Sequence, residues 1–213
     1  MAKQGEQSDV GVINADREPV ADNPHTWLPL LGDPPGTEDL RVLYGVLRPV
    51  YRGWTNTAIQ FGRTKIQPVD PLSADPWEVT AARAEVLLPP GADDRYLSPR
   101  VLLEAVDEPE REPKPSLLAY VTITYPTQRL HEQWEDVRLV IAAIVRSHGC
   151  PALLVQHAPH LARSNNPHHC HALLVPRRLT SLGFAGPVSA FAGDKGRQVI
   201  VDAVTARLSA DAS

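Results

Sequence analysis

The chain has only two cysteines in its 213 residues, Cys150 and Cys170, so no disulfide framework is expected. It also has no long hydrophobic run, and nothing in it approaches the roughly 20 apolar residues of a membrane span. The opening stretch from Met1 to Gly11 is polar, so no secretory signal is expected there. Internal repeats and homopolymer tracts are absent. An excess of basic charge is missing too: 21 Lys and Arg stand against 25 Asp and Glu, for a net charge of −4 and a pI near 6.0. That is the wrong sign for a protein whose whole surface grips nucleic acid. These absences together lead to the expectation of a soluble protein in a reducing cytoplasm.

Proline is plentiful. The chain has 21, roughly twice average usage, concentrated outside the stretches that read as regular. The length suits one domain with appendages, and a hydrophobic fraction of 43% suffices for one core. Charge is unevenly spread. Residues 1–115 hold 12 basic against 19 acidic side chains, net −7, whereas residues 116–213 hold 9 against 6, net +3.

Residues 1–39 are polar and acidic and read as a disordered or loosely attached leader, with residues 40–213 as a single domain. Residues 40–53 fit either a helix (Leu40, Leu43, Leu47) or a strand (Val42, Tyr44, Val46), and Pro49 ends or kinks both. The turn-rich stretch 54–95 offers one short element, strand or helix, between Trp77 and Val86. Ser98 and Pro99 form a helix start, N-cap then first position. Residues 107–115 are charged, Pro-rich and linker-like. Leu117 to Tyr125 is β-branched and aromatic, hence a strand. Residues 128–148 carry a helical stripe of Leu130, Trp134, Val137, Ile141, Ile144 and Val145, stopped by Gly149 and Pro151. A last helix spans about 195–208. Strand, long helix, strand, strand, helix implies an α+β fold with a mainly antiparallel central sheet flanked by helices, preceded by a Pro-rich, poorly ordered N-terminal region.

The stretch from Leu153 to Leu174 holds five of the eight histidines, at 157, 160, 168, 169 and 171. Apolar runs at both ends read as two strands joined by a polar loop. Strand side chains alternate with period two. His169 and His171 therefore share a face, with Cys170 on the other. Two imidazoles on one face suit a divalent metal ion. The third ligand is His157, at the end of the first strand, or His160 in the loop. The bland alternative is a solvated His-rich turn that meets metal incidentally.

Asn166-Pro167-His168-His169-Cys170-His171, followed by Arg177-Arg178-Leu179 and Gly183-Phe184, resembles the relaxases of the MobA/MobL type within the HUH endonucleases. The likeness extends upstream through Glu85 to Ala92, Tyr125-Pro126 and the helix ending at Gly149. The family's usual Asn-Pro-His-X-His has one residue fewer, and strand alternation assigns His169 and His171 to its pair. The resemblance implies an antiparallel sheet with flanking helices. It also implies a divalent ion (magnesium or manganese, with zinc as the alternative) on His157, His169 and His171, and a tyrosine that attacks single-stranded DNA at a transfer origin. The nearest match to the family's tyrosine segment is Pro49-Val-Tyr51-Arg52-Gly53, so Tyr51 is the nucleophile candidate and Tyr44 the second. Arg177 and Arg178 are candidate phosphate contacts, or a solvated pair after a strand. Accessory mobilisation proteins are implied partners.

Two readings stay open: a metal-assisted, tyrosine-dependent nicking enzyme for plasmid mobilisation, and a relaxase-like DNA- or partner-binding accessory protein without nicking. A histidine-triad nucleotide hydrolase is excluded by spacing, because Leu173 and Pro167 stand where further histidines would fall. A structural zinc site using Cys170 is excluded because that side chain faces away from its neighbours.

Overall fold

The computed structural model describes residues 10–20, 26, 28–33, 40–109, 114–125 and 129–211. Its elements in chain order are β1 (Gly11–Val12), β2 (Leu31–Gly32), β3 (Arg41–Leu47), β4 (Val50–Tyr51), β5 (Trp54–Thr55), α1 (Ala58–Ile66), β6 (Arg83–Leu87) and α2 (Pro99–Asp107). There follow β7 (Leu118–Thr124), α3 (Leu130–His148), β8 (Ala152–His157), β9 (His169–Leu174), β10 (Arg177–Thr180), β11 (Gly183–Pro187) and α4 (Gly196–Asp211). Seven strands form one sheet in the order β1-β2-β3-β7-β9-β8-β6. Every pairing in it is antiparallel. The pairs β4–β5 and β10–β11 are separate hairpins. The fold is thus α+β with a large antiparallel sheet flanked by four helices.

Strand alternation divides the core in two. Val42, Tyr44, Val121, Ile123, Leu154, Cys170 and Ala172 point to one face and pack under α3 and α4. Leu47, Leu118, Tyr120, Leu153, Val155 and Leu173 point to the other and pack under α1 and α2. A sheet covered on both sides needs central strands that are apolar throughout, and six of the seven residues of β7 are buried. Residues 41–47 therefore resolve as a strand: the alternating set Val42, Tyr44, Val46 enters the α3 side, and Leu47 the α1 side.

Helix limits follow local chemistry. Ser98 Oγ accepts from the Val101 backbone N–H (3.5 Å) with Pro99 at the first position of α2. In α3 the stripe Trp134, Val137, Ile141, Ile144, Val145 is buried, and Gly149 ends the helix at φ +67°, a left-handed conformation that suits glycine. The sequence did not foresee α1. Its buried positions, Ala58, Phe61, Gly62, Lys65 and Ile66, have helical spacing, but one is glycine and one is lysine. Gly62 is required by contact, since a Cβ there would lie 2.3 Å from Leu103 of α2. The Asp107 carboxylate at the end of α2 accepts the Ala58 and Ile59 backbone N–H groups at 2.7 and 2.9 Å, which fastens the two helices.

Part of the expected leader, residues 1–9, 21–25, 27 and 34–39, lies outside the described residues, as do residues 110–113 of the charged loop. The described part of the leader adds β1 and β2 to the sheet beside β3, and buries Leu28 and Leu30. Asp33 forms an ion pair with Arg197 of α4 at 2.8 Å, with both side chains nearly buried. Among the described residues no helix is long and apolar enough to cross a membrane. Removing one member of a buried pair leaves the other charge uncompensated. Asp33→Ala is therefore expected to lower stability in urea unfolding by about 3 kcal/mol, and Asp33→Leu with Arg197→Met by much less. Unchanged stability in Asp33→Ala would mean that this contact does not hold the N-terminal segment.

Candidate metal centre

Register builds the centre. β8 and β9 pair so that His157 stands directly opposite His169 and Val155 opposite His171, while Thr122 of β7 stands opposite His171 from the other side. Period-two alternation then puts His157, His169, His171, Tyr120 and Thr122 on the α1 face. Cys170 points the other way, where its Sγ donates to Gln133 Oε1 at 3.7 Å, and Gln133 Nε2 donates to the His168 carbonyl at 3.1 Å. The start of β9 is thereby tied to α3 while its histidines face away from it.

Three ring nitrogens converge. His171 Nε2 lies 3.2 Å from His157 Nδ1 and 3.1 Å from His169 Nε2. The remaining nitrogens are each held. His157 Nε2–H donates to the Lys65 carbonyl at 2.6 Å and His169 Nδ1–H to the Pro167 carbonyl at 2.9 Å. A carbonyl only accepts, so His157 Nδ1 and His169 Nε2 face inward with lone pairs. His171 Nδ1 lies 3.0 Å from both Tyr120 Oη and Thr122 Oγ1, hydroxyl oxygens that can accept its proton. With that tautomer, three lone pairs meet, an arrangement that repels itself unless a cation lies between them. Metal–imidazole bonds of about 2.0–2.1 Å set neighbouring nitrogens roughly 3.0–3.4 Å apart, which the observed spacings match. Supporting contacts to the far ring nitrogen are the usual means of orienting such ligands.

The three histidines can hold a metal ion. Burial pushes the pKa of His157 down to about 4, and burial likewise lowers that of His169. Both imidazoles are therefore neutral near pH 7, the form that ligates. An all-imidazole donor set suits zinc, copper, iron, nickel or manganese, whereas magnesium prefers oxygen.

The centre forms one wall of a cavity of about 750 Å³. Arg17, Arg41 and Lys65 line it against a single acid, Asp16. An acidic protein thus presents a locally basic hollow. Lys65 is buried, which pushes its pKa down to about 7, and its Nζ sits 4.7 Å from the centre of the Tyr120 ring.

The other sequence candidates lie elsewhere. His160 is exposed in a short 3-10 turn, Pro159–Ala162, outside the cluster. Tyr44 is fully buried on the α3 face, its hydroxyl donating to the Gly193 carbonyl at 3.0 Å. Tyr51 sits in the β4–β5 hairpin with the Arg52 guanidinium 5.5 Å from its ring centre. β3 passes the centre at Leu43, the partner of Thr122, so Tyr51 lies beyond its opposite end, and it does not line the cavity. Arg177 and Arg178 follow β9 at that same far end. Arg177 stacks on Phe184 at 5.1 Å and donates to the Ala185 carbonyl at 3.2 Å; Arg178 is exposed. The sequence reading passed over Tyr120, Thr122, Lys65 and Arg41. The two β7 residues were legible as a same-face pair, but only the strand register brings them to His171.

Fold and site together define an α+β protein with a three-histidine centre able to hold a metal ion. No family model matches the chain, and no curated protein matches it. Among solved structures it is similar to one described as "Molecular Basis of Vancomycin Resistance Transfer in Staphylococcus aureus", at 17% identity and a TM-score of 0.49, covering 62% of this chain and 72% of that one.

Protein stripped by chelator and titrated with manganese or zinc is expected to take up one ion per chain. His157→Ala, His169→Ala and His171→Ala should abolish uptake, and Tyr120→Phe with Thr122→Val should weaken it about 10- to 100-fold. Acid gives a second check on the metal-free protein. The folded-state pKa of His157 is about 4, below its ordinary 6.5, so between those values the unfolded chain binds more protons. Its contribution is complete above pH 6.5 and is lost as the pH falls toward 4. Thermal melts should show that loss, and His157→Gln should flatten it.

Proposed function

We propose that this chain is a relaxase-like protein that uses its three-histidine centre to engage single-stranded DNA at a transfer origin. The observation that carries this reading is the convergence of His157, His169 and His171 on adjacent antiparallel strands, at the wall of a basic cavity. The His169-Cys170-His171 motif and the segments resembling MobA/MobL relaxases agree with it. A divalent ion held there supplies Lewis-acid polarisation of a phosphodiester. The chain's own residues orient the imidazoles through Lys65, Pro167, Tyr120 and Thr122, and present positive charge to the strand through Arg17 and Arg41. The protein would act in the cytoplasm beside accessory mobilisation proteins.

Such a protein can nick DNA through a tyrosine or bind it without nicking. The distance of Tyr51 from the centre along β3, and the burial of Tyr44 on the opposite face, support the second reading: a metal-dependent DNA-binding accessory. The nicking reading, with Tyr51 as nucleophile and Arg177 and Arg178 on the phosphates, is separated from it by one experiment. The full chain is incubated with manganese and a single-stranded oligonucleotide from the transfer origin of its own replicon, then run on native and denaturing gels. The expected result is a manganese-dependent native shift, lost in His169→Ala, with no covalent adduct. An adduct abolished by Tyr51→Phe would establish nicking in its place, and no shift at all would remove the DNA reading.

A further inference from the structure

Arg41 begins β3 and pairs with Thr124 of β7. β7 meets β9 with Ile123 opposite Cys170 and Thr122 opposite His171. Continuing that register sets Thr124 level with His169, which stands opposite His157. Arg41, Thr124, His169 and His157 thus form one row across four adjacent strands at one end of the sheet. All four line the same cavity. Alternation places Arg41 on the histidine face, because Val42 and Tyr44 belong to the α3 side. At about 4.8 Å per strand, the Arg41 and His169 backbones are roughly 10 Å apart, so a group lying over the sheet can meet the arginine and the centre together.

Arg41 is half-buried, and its Nε is buried with no hydrogen-bond partner among the described residues. A guanidinium offers five donors in a planar fork suited to phosphate and carboxylate. The buried Nε is out of a cavity ligand's direct reach, so it is through the rest of its fork that Arg41, as a lining residue, can meet an anion there. A salt bridge does not engage that fork: the cavity's single acid is Asp16, and no ion pair involving Arg41 occurs among the described residues. Arg17 approaches the same hollow from the turn after β1. With a volume of about 750 Å³ the cavity can hold a nucleotide rather than a bare ion.

We propose that Arg41 is the phosphate ligand of this cavity, and that the site takes a nucleotide phosphate on the row running from Arg41 to the histidines rather than at Arg177 and Arg178. This deepens the DNA reading and rests on it only for the source of the phosphate, which is a strand or a free mononucleotide.

The test is calorimetric titration of the manganese-loaded full chain with thymidine 5′-monophosphate, with thymidine as the uncharged control. The monophosphate should bind and thymidine should not. Arg41→Gln should weaken the monophosphate roughly tenfold or more while manganese uptake stays unchanged. Arg41→Lys, which keeps the charge and loses the fork, should recover part of that loss, and Arg177→Gln with Arg178→Gln should change nothing. Equal affinity in wild type and Arg41→Gln, no binding by wild type, or loss in the Arg177/Arg178 variant would each overturn the assignment. Arg41-dependent monophosphate binding without any oligonucleotide shift would uphold the assignment and remove the DNA reading. An oligonucleotide shift indifferent to Arg41 would do the reverse.

Discussion

The register between β8 and β9 is the constraint on which the centre depends. Side chains alternate, so a slip of one residue would send Cys170 to the histidine face and turn His169 and His171 into the core beneath α3. Several contacts forbid that slip. Leu154, Ala172 and Leu174 fill the α3 side, and each of the two strands has a further neighbour, β6 or β7, that repeats the same alternation. Gln133 adds a polar latch at the start of β9. The apolar packing of one face thus sets the geometry of the polar site on the other.

The electrostatics follow from the same placement. Burial against the α1 layer keeps His157 and His169 neutral, and their far nitrogens are committed to backbone carbonyls. The lone pairs can then turn only toward one another. Net charge for the chain is −4, yet the hollow beside this centre carries three basic side chains against one acid. The field that matters to an approaching anion is the local one, which low-dielectric walls concentrate.

Much of this was legible in residue order. The period of two across His169-Cys170-His171 correctly assigned the histidines and the cysteine to opposite faces, and the stripe on α3 correctly named its buried side. The pair His169 and His171 needed no tertiary information, whereas the choice of His157 over His160 as their companion in the cluster came from the pairing of β8 with β9. Other features were not legible, for physical reasons. α1 hides because two of its five buried positions are not apolar side chains: position 62 is glycine, where Leu103 approaches closely, and position 65 is a lysine. β1 and β2 are two residues each, too short for any periodicity. The placement of Tyr51, Arg177 and Arg178 at the far end of the sheet follows from strand direction and register, which local sequence does not carry. Arg41 carries no signal of its own within the ambiguous segment 40–53, and only pairing with β7 sets it in the row with His169.

Among the described residues the loop between β8 and β9 adds no histidine to the cluster, and the hydrogen bond that the centre receives from it goes to the Pro167 carbonyl, a backbone group that any residue at that place supplies. The number of residues separating His157 from His169 is therefore not a structural constant, since the loop can lengthen outward without moving either strand. A signature that searches for this kind of site by fixed spacing would lose members whose loops differ in length. One that searches for a His-x-His strand start, paired across the sheet with a strand ending in His, would keep them.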